Sequence, residues 1–299
     1  MRKLLYCSLL LVALLCAAPL LAQSTPAPGT AAAFAAEAEA AALAGDLTAA
    51  LAAMDQALAL APGDAALLVQ RGTLYNAAED FAAALADLNA ALEINPLSAA
   101  AYAQRALAQL SPDTLDAALD DAKRALALEP DTVAFLVILG QVHNFRLEFA
   151  EARTALDAAL ALDPLNAEAL NHRGVAKSGL GDQAGALDDL NEALEIDGTF
   201  AAAYVNRGTI FRIRGSFDSA LAEFENALRF DPAYAEAHFA RGLTYIQLGN
   251  GANNVQRHRQ LYGAALEDLR AYVRLRGEKP VPEQVHELIR ELERITGSP

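Results

Sequence analysis

Residues 167–200 read AEALNHRGVAKSGLGDQAGALDDLNEALEIDGTF, and residues 201–234 read AAAYVNRGTIFRIRGSFDSALAEFENALRFDPAY. Laid over one another, the two stretches share arginine and glycine at places seven and eight, alanine at twenty and twenty-seven, and a helix breaker at thirty-two. The same spacing runs along the chain, with Pro62, Pro96, Pro130, Pro164 and Pro232 stepping by 34 and Gly198 in the missing place. A fixed period of this size is the mark of stacked units that cannot bury their apolar faces alone. A frame set at Ala31 starts further units at Ala65, Ala99, Val133, Ala167, Ala201 and Ala235.

The eighth residue of each frame is small (Ala38, Gly72, Ala106, Gly140, Gly174, Gly208, Gly242), and the twentieth is alanine throughout, from Ala50 to Ala265. Small residues at fixed places let two helix axes approach closely. Larger apolar residues then fill the space between them, and Leu58, Leu92, Leu126, Leu160, Leu194 and Leu228 are the expected filling. Gly45-Asp46, Gly181-Asp182 and Gly249-Asn250 mark an inner turn. Each unit is therefore expected to be two helices of about three turns, the second ended by proline or glycine.

This pattern resembles the tetratricopeptide repeat from Ala31 to about Gly277. The resemblance implies an all-α, right-handed superhelical solenoid of seven helix-turn-helix repeats over residues 31–279, preceded by a linker at 23–30. Residues 280–299 supply the capping helix and tail, with Val285, Leu288, Ile289, Leu292 and Ile295 on one stripe. Two departures stand out. Ser111-Pro112 should end the first helix of the third repeat early, and the last repeat has Tyr272 where the others have alanine.

Five frames place arginine seventh and an acid twenty-third: Arg71 with Asp87, Arg105 with Asp121, Arg173 with Asp189, Arg207 with Glu223, and Arg241 with Asp268. The fourth frame has Leu139 and Ala155, losing both together, and the first has Glu37 and Ala53. Joint gain and loss points to structural ion pairs, because a buried arginine requires a nearby acid. An arginine ladder for anionic ligands is the alternative.

The first residues have signal-peptide order: Arg2 and Lys3, an apolar run from Leu4 to Leu15, Pro19, and small residues ending at Ala22. Cleavage is expected after Ala22, giving a periplasmic or secreted chain; an uncleaved membrane anchor is the rival. Both cysteines, Cys7 and Cys16, lie in this segment, so the remaining chain has no disulfide or thiolate chemistry. The net charge of −15 becomes −17 once Arg2 and Lys3 are removed, which disfavours nucleic acid as a partner.

His143, His172, His238, His258 and His286 form no metal-ligand spacing, and His143 and His238 read as packing residues. There is no nucleophile-elbow or phosphate-loop motif, so neither catalysis nor a cofactor is expected. The resemblance implies that first helices line a concave groove, with frame places five, nine and twelve facing it. Those places hold Val69, Thr73, Asn76, Val137, Gln141, Asn144, Asn171, Val175, Ser178, Val205, Thr209 and Arg212. Asparagines there could fix a protein segment or extended peptide through its backbone; a plain solvated face is the alternative. The Lys- and Asn-based clamp that some family members use for acidic tails is missing.

An insertion at about 250–261 carries Arg257, His258 and Arg259, the densest basic cluster. It is expected to extend the second helix outward, as a candidate partner loop or as an idle extension. The expected role is an extracytoplasmic scaffold or adaptor. The alternative is a non-catalytic accessory subunit of an envelope enzyme or assembly complex.

Overall fold

The computed structural model describes residues 26–277 and 281–297. The signal segment, with its cleavage site, lies outside the described residues. Among the described residues there are fifteen α-helices and no strand, in two compact units divided between Leu180 and Gly181.

In the first unit the helices are α1 (Ala31–Leu43), α2 (Leu47–Leu60), α3 (Ala65–Ala77), α4 (Phe81–Ile94), α5 (Ala99–Ala108), α6 (Leu115–Leu128), α7 (Val133–Phe145), α8 (Phe149–Leu162) and α9 (Ala167–Gly179). First helices begin on the first residue of the frame. Short polar caps set several of these starts: the Asp64 carboxylate accepts from the N–H groups of Ala66 and Leu67, and the Asn166 amide oxygen accepts from Ala169. α5 stops at Ala108 after 10 residues, because Pro112 cannot continue the helix. The tight turn inside a repeat needs a left-handed residue. Gly45 supplies it in the first repeat, while Glu79 and Leu147 adopt φ of 57° and 61° in the second and fourth.

The second unit contains α10 (Gln183–Ile196), α11 (Ala201–Ile213), α12 (Phe217–Phe230), α13 (Ala235–Asn250), α14 (Val255–Arg276) and α15 (Glu283–Thr296). The insertion lengthens both helices of the last repeat, with α14 reaching 22 residues against 14 for α12. α15 packs on α14 through Val285 and Leu292, and Arg270 donates to Glu293 across the pair. Ile295, expected on the same stripe, is instead exposed at 38%.

Helix pairing rests on small residues. Ala50, Ala84, Ala118, Ala152, Ala186, Ala220 and Ala265 are all fully buried. Position eight faces position twenty-four of the same repeat: a methyl group added at Gly72 would lie 2.8 Å from Leu88 Cγ, and one at Gly140 would lie 2.5 Å from Leu156 Cγ. Leu88, Leu156, Leu190 and Phe224 at position twenty-four are fully enclosed. The expected filling at position twenty-eight is more marginal, since Leu126, Leu194 and Leu228 are only half-buried. Tyr272 replaces the enclosed alanine of the last repeat, and its ring sits 5.0 Å from that of Phe239.

Neighbouring first helices touch in the first unit, α3 with α5, α5 with α7 and α7 with α9, and no second-helix pair makes comparable contact. That unit is therefore pinched along its first helices and splayed along its second. In the second unit α11 touches α13 in the same way.

Candidate functional site

The recurring arginines bridge the two helices of a repeat. Arg71 Nε and Nη2 donate to the two carboxylate oxygens of Asp87 at 2.7 and 2.8 Å, and Arg105 does the same to Asp121. Arg207 holds both Glu223 oxygens through Nη2, at 3.0 and 2.8 Å. Arg241 holds Asp268 at 2.8 Å through both Nε and Nη2. Arg173 and Asp189 lie in different units; Asp189 is buried.

A third partner, absent from the sequence reading, ties four of the five arginines to the preceding repeat. The remaining nitrogen of Arg71 donates to Asp55 at 2.7 Å, that of Arg105 to Asn89 at 2.7 Å, that of Arg173 to Asp157 at 2.9 Å, and that of Arg207 to Asn191 at 2.8 Å. All four acceptors occupy the twenty-fifth place of the previous frame. Where the fourth repeat has Leu139, that place holds Lys123. Lysine there would repel an arginine, so all three members of the clamp change together. The third and fourth repeats are tied elsewhere, by an ion pair from Arg146 to Asp116. Arg146 also donates to Glu148, whose other oxygen meets His143 Nδ1 at 2.7 Å. The hydrogen bond from His143, with those from Arg146, holds the Glu148 carboxyl below its usual range.

His143 is thus a hydrogen-bonding residue rather than apolar packing. His238 is another, with Nδ1 2.9 Å from Asp268. Burial pushes the Asp268 carboxyl up, but hydrogen bonds from Arg241 and His238 outweigh this and leave it below the ordinary value. The clamps are structural in their geometry: Arg71 and Arg105 each spend all three guanidinium nitrogens on partners within the chain.

The groove assignment requires correction. Val69, Thr73, Val137, Asn144, Asn171 and Val205 are buried, while Asn76, Gln141, Val175, Ser178, Thr209 and Arg212 are half-buried. Asn76 Nδ2 donates to the Gln104 carbonyl at 2.8 Å, and Asn144 Nδ2 to the His172 carbonyl at 2.9 Å. Both amide N–H groups therefore stitch one first helix to the next instead of waiting for a peptide. Thr73 and Thr209 turn their hydroxyls back on Val69 and Val205, and Arg212 reaches Gln247 at 3.3 Å. The side of the first helices left open is places two, six, nine and thirteen. In α3 these are Ala66, Gln70, Thr73 and Ala77; in α7, Ala134, Ile138, Gln141 and Phe145; in α9, Glu168, His172, Val175 and Gly179. Gln70, Ala66, Phe145 and Gly179 are exposed, whereas Thr73 and Ile138 narrow the stripe by burying against their neighbours.

At the insertion, Arg257 and Arg259 are exposed in the first turn of α14. His258 is committed: its Nδ1 lies 3.1 Å from the Gly249 carbonyl and its ring 4.1 Å from that of Tyr262. Leu261 and Tyr262 are buried, and Tyr262 donates to Asn250. The base of the insertion is thus packed, while the two arginines project with Val255, Gln256 and Gln260. Among the described residues no group of His, Asp and Glu could hold a metal ion, and no helix is long and apolar enough to cross a membrane.

Three family models match the chain: a tetratricopeptide repeat over residues 65–96, another over 145–199, and a TPR repeat over 208–249. No curated protein matches the sequence. Among solved structures, the chain is similar to a tetratricopeptide repeat protein from Parabacteroides merdae, at 17% identity and a TM-score of 0.64, over 87% of this chain and 97% of that one. It is also similar to a chain of the APC/C hetero-tetramer Cut9-Hcn1, at 18% identity and TM-score 0.65, over 88% of this chain and 48% of that one. A thermophilic TPR protein of Thermus thermophilus matches at 21% identity and TM-score 0.57, over 61% of this chain and the full length of that one. The 34-residue lattice, the small residues at each helix crossing and the family models agree: the chain carries tetratricopeptide repeats over residues 65–96, 145–199 and 208–249.

Proposed function

We propose that this tetratricopeptide repeat scaffold is an extracytoplasmic adaptor that holds a segment of another protein along the open stripe of its first helices. One observation carries the reading. On α3, α7 and α9, Ala66, Phe145 and Gly179 stay exposed and Ala77, Ala134 and Glu168 half-buried, although the neighbouring first helices are packed against one another. A wall of mostly small and uncharged residues suits an extended segment whose backbone and side chains both approach closely. The reading is of a binding protein without catalysis, in which the buried acids Asp87, Asp121 and Asp268 are taken up in ion pairs between helices. Export rests on the order of residues 1–22 alone.

A second reading, an accessory subunit of an envelope complex, is favoured by the projecting pair Arg257 and Arg259 on an otherwise acidic chain. Affinity capture from an envelope fraction tests the first reading when run beside Ala66→Trp, which blocks the stripe at an exposed position. Capture lost in the variant, with an unchanged melting curve, is expected; capture equal in both would refute binding at the stripe. N-terminal sequencing of the exported chain is expected to begin at Gln23, and an intact Met1 in a membrane pellet would refute cleavage.

A further inference from the structure

The fold takes several carboxylates partly or wholly out of water, and nearly all have partners. Asp87, Asp121, Glu223 and Asp268 are held by arginines, Glu148 by His143 and Arg146, and Glu293 by Arg270. Asp163, Asp197 and Asp231 accept backbone N–H groups at the turns between repeats, and Asp189 is engaged as well. Two half-buried carboxylates are left over among the described residues, Glu39 and Glu168, with neither a hydrogen bond nor an ion pair. Glu39 is the ninth residue of its frame and Glu168 the second, so both stand on the open stripe of the first unit.

That stripe offers them no cation. In α1, α3, α5, α7 and α9 places two, six, nine and thirteen contain neither lysine nor arginine. The one basic side chain, His172, lies a helical turn from Glu168, and burial pushes its imidazole down to about 4, which leaves it neutral at physiological pH. Burial likewise pushes the Glu168 carboxyl up to about 7. A carboxylate in that setting gains from any donor that restores the hydrogen bonds lost with its water.

We infer that Glu168, seconded by Glu39, is a specificity-determining anchor for lysine or arginine side chains of the bound segment, so that the partner is a basic, otherwise small and apolar, extended peptide. The inference rests on the stripe being the binding surface. Charge complementarity selects this occupant: a cationic head pairs with the unpartnered carboxylate. Its aliphatic stem lies along the apolar part of the stripe, which on α9 includes Val175. An acidic tail would meet two carboxylates and no cation.

Phage-displayed random peptides, selected on the purified chain and on the Glu39→Gln/Glu168→Gln double variant, test this. Against the wild-type chain, enriched peptides should carry about threefold more Lys and Arg than the starting library, and the excess should vanish on the double variant. One resynthesised winner should bind Glu168→Gln about tenfold more weakly by fluorescence anisotropy, whereas its Lys-to-Gln version should bind both proteins alike. Enriched peptides without a cationic excess, or an excess that survives in the double variant, overturn the inference and leave the stripe as a binding surface. No enrichment of any peptide overturns the stripe itself, and this inference with it. Neither substitution removes an internal contact, so both variants should melt no lower than wild type.

Discussion

Deleting one carboxylate from a repeat clamp is the sharpest perturbation available in this fold, and Asp121→Ala is the clearest case. Asp121 is buried and accepts two charge-assisted hydrogen bonds from Arg105, at 2.7 and 2.8 Å. Without it the guanidinium faces only neutral Asn89, at 2.7 Å, and the Tyr102 ring, at 5.5 Å. Removing one partner of a buried pair costs about 3–5 kcal/mol. Arg105 keeps 21% of its side chain in water and can recover some hydration there, so the lower end, about 3 kcal/mol, is expected. Asp87→Ala should cost less, about 2 kcal/mol, because Arg71 retains a full negative charge at Asp55. The double variant Arg105→Leu/Asp121→Ala copies what Leu139 and Ala155 do in the fourth repeat, and should recover most of the loss. Urea unfolding gives the global change, and amide exchange in α5 and α6 gives the local one, since a repeat array responds first near the lesion. Losses of Arg105→Leu and Asp121→Ala that add in the double variant would refute pairing. Equal costs at Asp87 and Asp121 would refute the role of the third partner.

Two further predictions concern packing and pH. Gly140→Ala places a methyl group 2.5 Å from Leu156 Cγ in a fully enclosed contact, so stability should fall by about 1–3 kcal/mol, read from the urea midpoint; an unchanged midpoint would mean the helices part freely. Glu168, raised from 4.5 to about 7, keeps its proton in the folded state while the unfolded chain has lost it, so its contribution to stability is lost as pH rises through that window. His172, lowered from 6.5 to about 4, acts with the opposite sign, its contribution lost as pH falls through 6.5 toward 4. Over the overlap the two cancel, and Glu168→Gln should uncover a stability that climbs with pH up to about 6.5, measured as melting temperature against pH; a flat profile in the variant would refute the assignment.

The repeat frame was readable from the sequence because the physics of the crossing is written in residue size. Positions eight, twenty and twenty-seven must be small wherever two helix axes come close, and a series of alanines and glycines at a fixed spacing has few other causes. The arginine–acid pairs were readable for a related reason, since a charge taken out of water has to be matched. The twenty-fifth residue escaped because it acts on the following repeat. Asp55, Asn89, Asp157 and Asn191 make sense only when compared with Arg71, Arg105, Arg173 and Arg207 one frame later. The signal was present in Lys123, the basic residue that stands there ahead of Leu139.

The orientation of the first helices was not readable, and alanine is the cause. A helix face is located by contrast between apolar and polar positions. In α1, with sequence AAAFAAEAEAAAL, and in the first turns of α3, α5 and α11, alanine fills inward and outward places alike. The few polar residues then mislead. Asn76 and Asn144 look like groove ligands, yet a short amide is also what reaches the carbonyl of a closely packed neighbouring helix. Small residues that bring first helices together are the same residues that hide which face remains open. What marks the open face is therefore the charge left without a partner. A fold that pairs its buried carboxylates so consistently leaves Glu39 and Glu168 bare on one stripe, which makes them more informative about a ligand than any of the asparagines.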